Sequence, residues 1–513
     1  MLIFALAACA PAAPPAAAPG PVKRVRIVHT NDFHGRLLPQ TPAWAEGRGV
    51  GGAAVLAAHF DSAEARFGGP TLVLSGGDDM QGTAVSNLSW GRATIDAHNA
   101  AGYDAAALGN HEFDWGLDTL RARVRQSRFP WLAANVYLEG TERQPEWIRP
   151  WVMLERDGVK VAVVGAATVT TPEITVPSRI VGLRFGPEAP AVSRAAREAR
   201  AAGADFVVVT LHVGAVCAEP GSEPGEASRG CRGEVLEMAE ALTEPVDLIV
   251  GGHTHRRVLT TAAGIPVSEA ASYSTHYSLT DLERRGGRAT VARREVRIAW
   301  ADEVDPDTAV ARVVERWTAE VRPVIEREVT RFAEPLDTVG GEFALGGLIA
   351  DAHRRATGAQ VSLVNNGSIR RPLPAGVITY GMLYELQPFQ NELVVLELTG
   401  AQLRAALENA VARGSPDANL SGLTVTYDPA APEGSRVRSI RLDHQSRELG
   451  DADRVTAGLS EFLAQGGDRY ASLAPVAARR TGVVDLDALI AHLRARADPL
   501  GRPLTGRWVR GGS

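Results

Sequence analysis

The sequence predicts an α/β fold spread over more than one domain, on three observations. Over the first 300 residues, short Val/Ile/Leu/Ala runs alternate with longer amphipathic stretches, as buried strands do when helices cover them. Five of those runs, "RVRIVHTND", "TLVLSGGDD", "AAALGNHEFD", "DFVVVTLHVG" and "DLIVGGHTH", begin apolar and finish in Gly, Asp, Asn or His. And 513 residues, 45% of them hydrophobic, suggest two to four domains with real cores. The net charge of −6 gives no electrostatic footprint for a nucleic-acid polymer. No run of 18 apolar residues exists to cross a membrane as a helix.

Residues 1–22 come first. "MLIFALAAC" is a short apolar stretch ending in Leu6-Ala7-Ala8-Cys9, and the Pro/Ala tether behind it cannot build a core. The Leu-Ala-Ala-Cys ending resembles the lipobox of bacterial lipoproteins. That implies lipidation of Cys9 and an extracytoplasmic protein, periplasmic or anchored at the outer membrane. No Lys or Arg precedes the apolar part, where an export signal normally starts basic. An ordinary clipped export signal is the other reading of this stretch.

The strand runs follow. In open α/β sheets, ligands bind beyond the carboxyl ends of the strands. Read as one sheet, the five ends present Asp32 and His34, then Asp78, Asn110, His212, and finally His253 and His255. Only oxygen and imidazole are on offer, a mixture that suits Zn²⁺, Mn²⁺ or Co²⁺. Seven ligands are too many for one tetrahedral ion, so two divalent metal ions sharing a carboxylate are expected. Setting Cys9 aside leaves Cys217 and Cys231, separated by "AEPGSEPGEASRG". In an oxidising compartment the pair reads as a disulfide worth about 3 kcal/mol, and no Cys-x-x-Cys spacing points to zinc. Further on, "DPDTAVARVVERWTAEVRPVIEREV" sets Val310, Val313, Val314, Trp317, Val321 and Val324 at helical spacing behind Asp and Thr capping residues.

The blocks "HTNDFHGR", "LSGGDDMQGT", "GYDAAALGNHEFDWG", "TLHVG" and "GGHTH" resemble, in order, the metal-binding blocks of the secreted 5′-nucleotidase/UDP-sugar hydrolase family of metallophosphoesterases. The resemblance runs from about Arg24 to the C-terminus. It implies a four-layer α/β/β/α metallophosphoesterase domain over 23–303, an interdomain helix within 304–330 and a C-terminal α/β nucleotide-binding domain over 331–513. It implies one metal held by Asp32, His34, Asp78 and His255, and a second by Asp78, Asn110, His212 and His253, with Asp78 bridging. Two carboxylates against two dications leave a surplus of about two positive charges, which attracts a phosphate dianion and acidifies bound water; an aspartate at 110 would remove half of it. His111 and Asp114 stand three apart in a stretch that should turn helical, so their side chains can meet. In the family this pair faces the reacting phosphate: the imidazole stabilises developing charge or assists the leaving oxygen, and the carboxylate fixes its tautomer. Glu112 reads as structural. So do His29 in a strand, His59, His98 and His353 in helix-like stretches, and His276.

The resemblance continues through "ALGGLIADAHRRATGAQVSLVNNGSIR", "ITYGMLYELQPFQNELVVLELTG", a central strand region and "EFLAQGGDRY". Phe389 and Phe462 correspond to the two aromatics that sandwich the base. Such stacking is worth about 1–3 kcal/mol per base and tolerates different bases. Asp468 matches the residue that binds ribose hydroxyls, and Asn365, Arg370 and Asn391 match polar contacts to the substrate. Two departures stand out: "LDTVGGEFALGG" lacks the arginine family members often carry there, and Arg469 replaces the last glycine of Gly-Gly-Asp-Gly. Arg371 is the candidate replacement for the missing arginine. The implied activity is removal of phosphate from extracytoplasmic nucleotides for salvage. Alternatives on the same scaffold are 2′,3′-cyclic nucleotides and 3′-nucleotides, or UDP-sugars; a lipoprotein that binds nucleotides without turnover is a third. The implied partners are nucleotide substrates, with no nucleic-acid polymer and no membrane contact beyond the lipid anchor.

Overall fold

The computed structural model describes residues 22–511 except 288, 446, 497, 498 and 502, so Cys9 and the tether lie outside the described residues. Two six-stranded sheets build the first domain. One runs in the order Ala289–Ile298, His276–Arg284, Lys23–Thr30, Thr71–Ser75, Ala105–Ala107, Trp131–Leu132; the other runs Arg257–Ala262, Ile265–Ala270, Leu248–Gly251, Phe206–Leu211, Val159–Ala166, Trp151–Arg156. The five ligand-bearing strands therefore do not share one sheet. Three end in the first sheet and two in the second. The strand pattern could not reveal this, because a strand covered on both faces is apolar throughout, whether a helix or another sheet covers it. Val25, Ile27, Leu72 and Leu74 pack against Val161, Val163, Phe206, Val208, Leu248 and Val250 between the sheets. The alternate residues Val28 and Val73 lie under helices on one outer face, and Ala162, Val164, Val207, Val209 and Ile249 on the other. The result is a four-layer α/β/β/α domain.

The sheets are also stitched at their carboxyl ends. Thr210 Oγ1 donates to Ser75 O at 2.8 Å, and the backbone N–H of Tyr273 donates to Asp32 O at 2.7 Å. Between the strands Val216–Glu219 and Arg229–Arg232, Cys217 stands opposite Cys231 and the two form a disulfide.

Helix Thr308–Ile325 links the domains, and the Asp307 carboxylate caps it by accepting from Val310 N at 2.7 Å. Val310, Val314 and Val321 are buried and Trp317 packs beside them. Val324 is 43% exposed and falls off the stripe, and Ile325, the next residue, packs in its place. The helix lies against Ala53–Phe67, Ala84–Leu88 and Arg92–Ala100 on one side and Tyr380–Leu386 on the other.

The second domain is built on a five-stranded sheet ordered Ala418–Ser421, Val361–Asn365, Arg454–Ser460, Glu392–Thr399, Ala478–Val484. Leu345, Leu348 and Ile349 of helix Ala344–Thr357 cover one face; Leu403, Ala406 and Leu407 of helix Gly400–Ala410 cover the other. Across the domain boundary, Asn87 Nδ2 donates to Pro388 O at 3.0 Å. Arg36 Nη1 reaches Glu385 Oε2 at 3.2 Å, and Arg371 pairs with the same carboxylate.

Candidate metal centre and interdomain cavity

Strand ends from both sheets converge on one buried cluster. His255 Nε2 lies 3.1 Å from Asp32 Oδ1 and 3.1 Å from His34 Nε2. His212 Nε2 lies 3.0 Å from Asp78 Oδ2 and 3.3 Å from His253 Nδ1. Among the described residues, two groups have metal-ligand proximity: Asp32, His34 and His255, and Asp32, Asp78 and His212. Asp32 is common to both, while Asp78 Oδ2 stands 3.9 Å from His34 Nε2.

The donor chemistry fits cations. His34 Nδ1 hydrogen-bonds Gln81 O at 2.7 Å and His212 Nδ1 bonds Gly76 O at 2.8 Å, so each Nε2 turns a lone pair into the cluster. Lone pairs and carboxylate oxygens facing one another at these distances repel unless a positive charge lies among them. Asp32 Oδ1 and Asn110 Oδ1 are buried without a hydrogen-bond partner, which again leaves acceptors aimed inward. Protonation shows the same demand for positive charge, since a proton on His212 Nε2 takes the place that a cation would. Burial lowers the His212 pKa, but Asp78 and Asp32 outweigh it and push it up to about 10. Burial, reinforced by His212, holds His253 down to about 4, and burial with His255 holds His34 well below its usual value. Asp78 is held well below the carboxylate range, its burial outweighed by His212 and His111.

The backbone presents these groups in an unusual way. Asp32, His34, Asp78, His253 and His255 all have positive φ, between 50° and 78°. Left-handed conformations at non-glycine residues cost energy and concentrate at functional sites. Glycines make room: a Cβ on Gly109 would lie 2.2 Å from Asp78 Oδ1, and one on Gly82 would lie 2.2 Å from His34 O.

Around the cluster sit residues that hold it. Glu112 accepts backbone N–H bonds from Asp78, Asp79 and Gly109, each at 2.8 Å, and so pins the Asp78 turn. Asn31, missed in the sequence, donates to Asp32 Oδ2 at 2.6 Å and accepts from Ala270 N at 2.7 Å, locking the two sheets at the site. Its place beside Asp32 was the available signal. His111 and Asp114 meet as the spacing required, Nδ1 to Oδ2 at 2.8 Å, and the His111 N–H donates to Asp78 Oδ1 at 2.8 Å. Burial lowers the His111 pKa, but Asp114 and Asp78 outweigh it and raise it. His29, His59, His98, His276 and His353 stand apart from both ligand groups. His98 stacks on Tyr103 at 4.1 Å, and His276 lies 5.8 Å from Trp44.

A cavity of about 790 Å³ opens on this cluster and runs into the second domain. Asp78, Asn110, His111, Asp114, His253 and His255 line one end; Asn365, Arg370, Phe389, Asn391, Phe462 and Asp468 line the other. All six second-domain residues singled out in the sequence thus line the same space as four of the metal-ligand candidates, Asp78, Asn110, His253 and His255, while Asp32, His34 and His212 lie behind its wall. The Phe389 ring lies 5.6 Å from His111, and the Arg370 guanidinium 5.8 Å from Phe389. Asn365 Nδ2 donates to Asp468 Oδ2. Arg371, in contrast, is turned away and held by Glu385, so it does not replace the missing arginine. Arg179, Arg256 and Arg413 line the cavity instead; nothing in their sequence surroundings marked them.

Comparison with known proteins agrees with this architecture. The calcineurin-like phosphoesterase model matches residues 25–257, and the model for the 5′-nucleotidase C-terminal domain matches residues 324–475. Protein UshA of Escherichia coli is 26% identical over 93% of this chain and 92% of its own. Endonuclease YhcR of Bacillus subtilis is 26% identical over 94% of this chain, which spans only 40% of that protein. The crystal structure of a 5′-nucleotidase precursor from Thermus thermophilus superposes with a TM-score of 0.82 at 28% identity, covering 95% of this chain and 99% of that one. The chain belongs to the calcineurin-like phosphoesterases that carry a 5′-nucleotidase C-terminal domain, a family of metal-dependent phosphoric monoester hydrolases.

Proposed function

We propose that this protein is an extracytoplasmic 5′-nucleotidase that removes phosphate from nucleoside monophosphates for salvage. One observation carries the reading: a single cavity is lined by Asp78, Asn110, His253 and His255 of the candidate metal cluster at one end and by Phe389, Phe462 and Asp468 at the other. A nucleotide laid along it puts phosphate on the cluster and its base between the rings.

Asp32, His34, Asp78 and His255 would hold one divalent ion, and Asp78, Asn110, His212 and His253 a second. Zn²⁺, Mn²⁺ or Co²⁺ bound there supplies charge to phosphoryl oxygens and lowers the pKa of water. The chain's own groups do the rest. His111, kept in one tautomer by Asp114, donates a hydrogen bond to the phosphoryl or leaving oxygen as negative charge grows there. Asp468 fixes the ribose hydroxyls, Asn365, Arg370 and Asn391 orient the substrate, and Phe389 and Phe462 hold the base by stacking, which converts a loose encounter into an aligned one. Extracytoplasmic placement draws support from the Cys217–Cys231 disulfide, since such bonds persist in oxidising compartments.

The test is phosphate release from AMP and UMP by the purified protein with Mn²⁺, Co²⁺ or Zn²⁺, abolished by EDTA. A panel with 2′,3′-cyclic AMP, 3′-AMP and UDP-glucose ranks ester types by kcat/KM. Higher kcat/KM on a cyclic or 3′-nucleotide reassigns the substrate. Tight nucleotide binding without product from any compound defeats the enzymatic reading.

A further inference from the structure

Away from the interdomain cavity, helices Ala344–Thr357 and Asp485–Arg494 of the second domain pack together. A cavity of about 420 Å³ opens at their carboxyl ends, with Asp351, Arg354, Arg355, Gly358, His492 and Arg496 in its walls. None of these residues lines the interdomain cavity. Strand Val361–Asn365 begins just beyond Ala359, on the wall of the smaller cavity, and ends at Asn365 on the wall of the larger one. The two spaces therefore lie at opposite ends of one strand.

The charge in the smaller cavity is one-sided. Its one lining carboxylate, Asp351, accepts from Ser421 Oγ at 2.6 Å and from Arg507 Nη2 at 2.7 Å, and is thereby occupied. Arg354 donates its Nε to Ser421 Oγ at 2.7 Å, which orients the guanidinium. Among the described residues, no carboxylate pairs with Arg354, Arg355 or Arg496. Basic side chains collect at helix carboxyl ends in any case, because they complement the negative end of the dipole. His492 does not follow from that. It is 4% exposed, yet neither ring nitrogen has a hydrogen-bond partner among the described residues. Buried polar atoms are nearly always paired, so two in one ring on a cavity wall point to a ligand. Burial first, then Arg496 and Arg355, hold its pKa down to about 4, so the ring is neutral and has one N–H to donate. Guanidinium forks supply charge and paired hydrogen bonds to a tetrahedral oxyanion, and the imidazole N–H adds another. A space of this size is that of a small-molecule site, with room for a phosphate alone or one borne on an ester.

We propose that this cavity is a second anion site, remote from the metal cluster, which binds a phosphate group through Arg354, Arg355, Arg496 and His492. The group comes from free phosphate, which a phosphoric monoester hydrolase itself releases, or from the headgroup of an anionic phospholipid. Both present the same oxyanion to the same donors.

The test is equilibrium dialysis of the metal-loaded protein against radiolabelled phosphate in about 0.15 M NaCl, where diffuse surface attraction is screened. Wild type is compared with the double variant Arg355→Ala/Arg496→Ala, whose side chains are exposed and leave the core intact. Wild type should bind one phosphate more per chain than the variant, with a Kd of about 1 mM or tighter at that site. His492→Leu, which removes a neutral donor and no charge, should weaken the site roughly 10-fold, and His492→Gln should restore part of it. Sedimentation with phosphatidylcholine vesicles, with and without phosphatidylglycerol, separates the sources. Capture of wild type but neither variant by the phosphatidylglycerol vesicles assigns the headgroup; the extra phosphate without such capture assigns free phosphate. Equal phosphate counts and equal vesicle capture in wild type and double variant overturn the proposal. So does His492→Leu binding as wild type does, since a merely basic surface would not sense a neutral ring. The phosphate count decides this site whether or not AMP is hydrolysed, so its failure and that of the proposed function are told apart.

Discussion

Asn110 brings an amide to a position where its Oδ1 is buried and unpartnered beside two carboxylates. Under the proposed two-ion reading its neutrality would preserve the positive surplus that draws phosphate, so Asn110→Asp should weaken inhibition by product phosphate about 10-fold or more, measured as Ki in the Mn²⁺-loaded enzyme. His111→Ala removes the group proposed to act as charge develops, and should lower kcat by about 10²–10⁴-fold with a small change in KM. Residues of this kind were legible in the chain because motif spacing names them. Their conformations were not. Nothing in "NDFH" or "GGHTH" says that Asp32, His34, His253 and His255 take positive φ, because that demand comes from neighbours such as Gly77, Gly82 and Gly252 packing backbone against backbone. Arg371 failed as a replacement for the missing arginine because Glu385, fourteen residues on, claims it.

Among the elements, the hairpin of Val216–Glu219 and Arg229–Arg232 buries little of its own surface and is closed by the Cys217–Cys231 bond. Replacing both cysteines by serine should lower stability by about 2–3 kcal/mol in denaturant unfolding, and a reductant should shift only the wild-type curve. Helix Ala344–Thr357 carries His353, which burial holds down to about 3. The folded state keeps this ring neutral while an unfolded histidine titrates near its usual value, so its contribution is fully present above about pH 6.5. It should fall by about 1.4 kcal/mol per unit as pH drops from there towards the folded value, and His353→Gln should flatten that acid limb in denaturant midpoints measured between pH 4 and 7. Strands and helices were readable from apolar periodicity; their assignment to two sheets was not, since alternate residues facing a helix or a second sheet are equally apolar. The linking helix was readable to its last turn, where Ile325 rather than Val324 packs.

For the whole molecule, the decisive fact is that the cavity has walls from both domains, so their relative placement is part of the site. Glu385, half-buried and shared by Arg36 and Arg371, is one tie across that boundary. Glu385→Ala should loosen it, raising KM for a nucleotide about two- to five-fold while kcat changes less, with a larger radius of gyration by small-angle scattering. Domain order and the six second-domain residues that line the cavity could be named from the chain by family resemblance. The space between the domains could not, because Arg179 and Arg413 gain meaning only when two surfaces far apart in sequence are brought together.

Phe389 lines the interdomain cavity with its ring 5.6 Å from that of His111. A substitution there would therefore disturb the proposed base contact and the candidate dyad together, and selection on one drags the other with it. Tuning the base contact alone would have to proceed through Phe462, which leaves Phe389 as the slowest part of the proposed specificity to change.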